Sequence, residues 1–96
     1  MNDVLRTEQL FRDQNRDGNS RSVAWGGGSG SNQVSGNLGG GTVKLQYSAD
    51  EAAWSDVDGV TFTATGVKNF TVASGYLRNT LTDSGAGADV DSWVAA

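Results

Sequence analysis

The stretch Thr42-Val-Lys-Leu-Gln-Tyr-Ser48 decides how this chain is read. Val43, Leu45 and Tyr47 alternate with Lys44, Gln46 and Ser48, so one face is apolar and the other wet, the period-2 signature of a half-buried antiparallel strand. Just before it, Val34, Gly36 and Leu38 repeat the alternation, and Gly39-Gly-Gly41 offers a permissive backbone for a tight reversal, so Gln33–Leu38 and Thr42–Ser48 are predicted to form a hairpin. After Tyr47 comes Ser-Ala-Asp-Glu-Ala-Ala-Trp, where Asp50 is placed to accept hydrogen bonds from the turn's own backbone, and a second hairpin is expected.

Further along, Val60, Phe62 and Ala64 share a face and Gly66 turns the chain. Phe70 and Val72 then point inward, with Lys68 at the wet start of their row, and Gly75 punctuates again. Leu77 and Leu81 flank Asn79 on one face of 76–82, and a last strand carries Val90 and Val94 with Trp93 opposite. Fourteen glycines and no proline, clumped at Gly26–Gly28, Gly30, Gly39–Gly41 and Gly85–Gly87 without a fixed period, exclude collagen and read as turns between short strands. The expectation is an all-β fold, an antiparallel β-sandwich or jelly-roll-like barrel of six or seven strands over residues 23–96.

Residues 1–22 differ in composition. Arg6, Arg12, Arg16 and Arg21 balance Asp3, Glu8, Asp13 and Asp17, so the net charge of −4 belongs wholly to the rest of the chain. Val4, Leu5, Leu10 and Phe11 fit neither a helix face nor strict alternation, and the segment is read as an N-terminal arm or edge segment, with an edge strand near Glu8–Arg12.

Ninety-six residues provide one domain and no second folded unit. A core of that size leaves stability modest, which favours assembly with other copies. With no cysteine and no histidine, disulfides, thiolate metal sites and the usual general base are excluded. Seven basic against eleven acidic side chains argue against nucleic acid as a partner. No apolar run approaches the roughly 20 residues that cross a bilayer, and the first residues lack a signal peptide's basic start and apolar centre, so no membrane partner is expected and the chain reads as unprocessed.

Five patterns invite a functional reading. Asp13, Asn15 and Asp17 followed by Gly18 have the spacing that opens an EF-hand calcium loop, but Arg21 and Ala24 occupy the positions where its second half needs oxygen ligands, so an ordinary polar turn is preferred and no metal or other cofactor is expected. Asp56 with Asp58, and Asp89 with Asp91, are carboxylates two residues apart of the kind glycoside hydrolysis employs. Nothing in the sequence sets them across a cleft, so the chain is expected not to be an enzyme. Gly26–Gly30 lacks the Lys and helix of a phosphate loop, and Asn69-Phe-Thr71 matches a glycosylation sequon inside a predicted strand. Among the aromatics, Tyr47, Phe62 and Phe70 are assigned to the core, Trp25 and Trp54 to its ends, and Trp93 to an exposed or intersubunit anchor. Leu10, Phe11 and Arg12 in the arm, Trp25 beside the glycines, and Trp93 are the candidate contact residues; Arg78 is expected to pair with an acid of its own sheet.

The segments Val23-Ala-Trp25-Gly-Gly, Val34-Ser-Gly36-Asn-Leu38-Gly-Gly, Thr42-Val-Lys-Leu45-Gln46-Tyr-Ser, Asp50, Trp54 and Ala73-Ser-Gly75-Tyr-Leu77-Arg78 together resemble a family of small tailed-bacteriophage virion structural proteins. The resemblance spans roughly residues 23–82 and lies in turns and strand alternations rather than in chemistry. Asn79 departs from the small apolar residue common after the arginine, and Glu51-Ala52 from the usual turn glycine. What the resemblance implies is a capsid decoration (cement) protein that binds the major capsid protein as a homo-oligomer, a trimer by analogy, on the surface of a virion assembled in the host cytoplasm. A tail or fibre module that binds a receptor or glycan is the alternative it implies.

Overall fold

A computed structural model of the protein describes residues 7–96. Seven strands follow one another, β1 (Thr7–Gln9), β2 (Gly18–Asn19), β3 (Val23–Asn37), β4 (Thr42–Ser48), β5 (Ser55–Phe62), β6 (Gly66–Thr82) and β7 (Asp89–Ala95). They form one antiparallel sheet in the order β1-β7-β3-β6-β4-β5, with β2 added on the far half of β6. The all-β expectation holds, and the sheet folds over itself into a sandwich-like barrel.

The register forces that folding. Val34 pairs with Gly66 and Thr42 pairs with Thr82. On a straight strand Gly66 and Thr82 would stand roughly 53 Å apart at about 3.3 Å per residue. The chain from Val34 to Thr42 reaches at most about 28 Å. Strand β6 must therefore bend, and its partner β3 bends with it. The inward-facing residues record where. In β3 they are Val23 and Trp25, then Asn32 and Val34; in β6 they are Phe70 and the half-buried Val72, then Leu77, Asn79 and Leu81. Each strand thus changes which parity it buries, across Gly27–Gly28 in β3 and across Ser74–Gly75 in β6. Gly27 and Gly28 have φ of 93° and 104°, a conformation open to glycine at little cost. At Gly75 a Cβ would come within 2.6 Å of the Ser48 carbonyl oxygen. The glycines expected to separate short strands here bend two long ones, because the sheet has to reverse without losing its ladder.

The hairpin expected between 33–38 and 42–48 is corrected. Gly41 N–H does donate to Leu38 O (2.9 Å), so a turn exists, but β3 and β4 lie on opposite flanks of β6. The turn is a crossover over the end of the barrel, tied down where Gly85 N–H donates to Gly39 O (2.9 Å). The second hairpin is present as β4–β5. Between the pairs Gln46–Asp56 and Lys44–Thr61, Val57 to Val60 stand opposite Leu45 alone, so the edge strand bulges.

Residues 7–22 are joined to the sheet and core of the strands that follow. An edge strand does exist, at Thr7–Gln9 against β7, but the segment after it is no detachable arm. Leu10 (5% exposed) and Phe11 (1%) lie in the same core as Val43, Leu45, Leu77, Leu81 and Val90. Phe11 N–H donates to Ser92 Oγ (3.0 Å), Ser92 N–H to Phe11 O (3.0 Å), Gln14 pairs with Val90, and Ser20 N–H donates to Asn79 O (2.8 Å). Its charged side chains Arg12, Asp13, Arg16 and Asp17 face solvent, which gives the segment its solvated composition while its two large apolar residues point inward.

At the centre of the barrel sits a polar pair. Asn32 and Asn79 are both fully buried and exchange amide hydrogen bonds, Asn79 Nδ2 to Asn32 Oδ1 at 2.8 Å and Asn32 Nδ2 to Asn79 Oδ1 at 3.2 Å. The remaining amide protons reach Lys44 O (3.1 Å) and Trp93 O (2.9 Å), so β3, β4, β6 and β7 are joined through two side chains.

Candidate functional site

The polar turn at Asp13–Asn19 does not gather its three side chains on one point. Asp17 leans to the loop after β6, where its carboxylate accepts from Ser84 Oγ (2.5 Å), Ser84 N–H (2.9 Å) and Asp83 N–H (3.2 Å). The Ser84 hydroxyl and then the backbone N–H groups favour the ionised form and lower its pKa. Asp13 is drawn the other way, its N–H donating to Asp91 Oδ1 (2.9 Å), so that Asp13, Asp89 and Asp91 bring carboxylate oxygens within 4.8 Å of one another at the surface. Sequence spacing shows the Asp89–Asp91 half of this trio; Asp13 joins it only through the Gln14–Val90 bridge.

The second carboxylate pair is tied into the sheet. Asp56 accepts from Gln46 Nε2 (2.9 Å) and faces Lys44 Nζ (3.5 Å), and the Gln46 hydrogen bond leads in lowering its pKa. A general acid in glycoside hydrolysis needs a shift in the opposite direction. At the β4–β5 turn Asp50 does what the sequence assigns it. It accepts from the N–H groups of Ala52 (3.0 Å) and Ala53 (3.1 Å) and from Ser48 Oγ (2.9 Å), and these bonds, Ala52 first, pull its pKa down to about 2.

Of the candidate contact residues, Leu10, Phe11 and Trp25 lie inside the protein's own core. Trp25 is 4% exposed and packs on Phe70 with ring centroids 5.2 Å apart. Arg12 is exposed, and Trp93 is half-buried. Trp54 is covered on one face by the Arg78 guanidinium, 4.3 Å from its ring centroid. Arg78 also donates to Gln46 Oε1 (2.9 Å), so an aromatic ring and an amide take the place of the acid expected to pair with it.

Trp93, half-buried like Trp54, lines a groove. The register puts Thr7 beside Ala95, Gln9 and Gln33 on either side of Trp93, Ser31 beside Ala95 and Asn69, and Val67 beside Gln33. Val90, Val94, Asn32 and Val34 of the same strands point inward, so these odd-numbered residues occupy the outer face. Thr7, Ser31, Gln33, Val67, Trp93 and Ala95 line a groove of about 340 Å³ there, and Val67 is 58% exposed. Sequence alternation places Trp93 outward, but the grouping depends on β1, β3 and β6 lying around β7, which no local pattern reveals.

The fold and this surface define a small all-β protein with a polar-centred barrel and a groove beside Trp93 on its outer face. No family model and no curated protein matches the chain. Among solved structures it is similar to the SPBc2 prophage-derived protein YomS, with a TM-score of 0.76 over 99% of this chain and 96% of that one, at 8% identity. At such identity the likeness is one of fold. Among the described residues no helix is long and apolar enough to cross a membrane.

Proposed function

We propose that this chain is a structural protein of a tailed-phage particle, and within it a head decoration protein that binds the major capsid protein on the virion surface as a homo-oligomer, a trimer by analogy. The observation that supports the reading is the fold shared from end to end with a prophage-derived protein, which makes the comparable unit the whole small domain rather than a piece of it. The turn and strand motifs of residues 23–82 point the same way. Binding rather than turnover is the proposed activity, and the net charge of −4 limits non-specific attachment to nucleic acid.

Cryo-electron microscopy of the particle tests it. Density for this chain across the head at icosahedral multiplicity, touching the major shell protein, is the expected result. Density confined to the tail in a few copies overturns the decoration reading in favour of a tail module, and its absence from the particle overturns both. Sedimentation of the purified protein at micromolar concentration checks the trimer.

A further inference from the structure

We infer that the outer face centred on Trp93 is a binding site for a neutral saccharide. Three observations lead there. Of the three tryptophans, Trp25 is core, Trp54 is half-buried with the Arg78 guanidinium on one face, and Trp93 is half-buried and lines a groove. Around it stand hydroxyl and amide side chains, Thr7, Gln9, Ser31, Gln33 and Asn69, with Val67 and Ala95 as apolar floor, and Asp91, two positions before Trp93 on the same face of β7, stands at the edge. Among the described residues the side chains of Thr7 and Gln33 and the indole N–H of Trp93 make no hydrogen bond, so donors and acceptors stand free on both sides of the ring.

This combination fits a sugar ring better than other occupants. The C–H face of a pyranose lies on an indole, while its hydroxyls, each both donor and acceptor, match primary amides, which are both as well. An anionic ligand is disfavoured beside Asp91 on a protein of net charge −4. A groove of about 340 Å³ is at the small end of ligand sites, so binding is weak per copy and strengthened by display of several copies. The inference does not rest on where in a particle the chain sits, since the isolated protein is sufficient to test it.

The experiment follows the three indole N–H signals in a ¹H–¹⁵N correlation spectrum of the full chain, the Trp93 signal being assigned with Trp93→Phe. Cellotetraose, chitotetraose and mannotetraose serve as neutral probes and sialyllactose as the anionic one, each to about 10 mM, a range suited to a shallow site. The expected result is a saturable shift of the Trp93 signal with at least one neutral probe while Trp25 and Trp54 stay still. Affinity should fall about tenfold in Trp93→Ala and several-fold in Gln33→Ala, in line with the loss of a stacking surface or an amide contact. Should Trp93→Ala unfold, Val67→Glu, at an exposed position of the same face, carries the test and should weaken binding several-fold in a folded protein. No movement with any neutral probe overturns the inference. So does an equal shift with sialyllactose, or a Trp93 shift that follows protein concentration alone, which would assign the face to a second copy.

Discussion

Replacing Asn79 by leucine keeps the side chain's size and removes its hydrogen bonding, and the structure fixes what that should cost. Asn32 Oδ1 loses its 2.8 Å donor, Asn32 Nδ2 its 3.2 Å acceptor and the Lys44 carbonyl its 3.1 Å donor, and Asn32 has no exposure. Each buried group left unsatisfied costs about 1–3 kcal/mol, so Asn79→Leu should lose about 3 kcal/mol. That is a large share of the roughly 5–15 kcal/mol that holds a domain folded. The double variant Asn32→Leu/Asn79→Leu removes both amides together and leaves an apolar pair of similar shape, which should recover about 1–2 kcal/mol relative to the sum of the singles. Urea unfolding followed by tryptophan fluorescence reads both quantities, with the midpoint of Asn79→Leu lower by roughly 1–3 M. If Asn79→Leu stays within about 1 kcal/mol of the wild type, or the double variant equals the sum of the singles, the pair is not the coupled network described.

Deleting residues 1–12, or truncating Phe11 to alanine, should destabilise the fold rather than leave its melting temperature intact; Phe11→Ala should cost about 3–5 kcal/mol by calorimetry or denaturant unfolding, given a side chain 1% exposed. Acid should weaken the β4–β5 turn. Asp50 has its folded pKa lowered from 3.8 to about 2, so its contribution is present above pH 3.8 and is lost as pH falls through about 2. A melting-temperature profile over that range should flatten in Asp50→Asn, and Asp17 contributes with the same sign. Gly75→Ala should cost about 1–3 kcal/mol in thermal unfolding, because its Cβ would meet the Ser48 carbonyl oxygen, which belongs to the ladder and has little room to retreat.

Much of the fold is legible locally. Val43 and Leu45, Leu77 and Leu81, and Val90 and Val94 each announce their buried face by alternation, and Asp50 announces its turn. What the sequence hides is long-range. The same Gly-Gly pattern serves a reversal and a strand bend, and only the pairing of β6 with both β3 and β4 tells which is meant. Charge around Leu10 and Phe11 masks two core residues, because Arg12 and Asp13 sit next to them on the wet side of an edge. Asn79 carries a signal of its own, a lone amide in the apolar row of Leu77 and Leu81; its partner Asn32 is 47 positions away and has no such row to mark it. The outer face is half legible, since alternation places Trp93 outward but its neighbours arrive from three other strands.

The pairing of Thr7 with Ala95 and of Gln9 with Trp93 puts the first described strand against the last. During synthesis, β1 leaves the ribosome with its backbone groups and the neighbouring Leu10 and Phe11 uncovered, and it waits until β7 has been translated. Contacts so far apart in sequence carry a loop-closure cost that slows their formation. In the interval the young chain displays an unpaired edge beside two large apolar side chains, the state in which it is most exposed to capture by a second copy or by a chaperone.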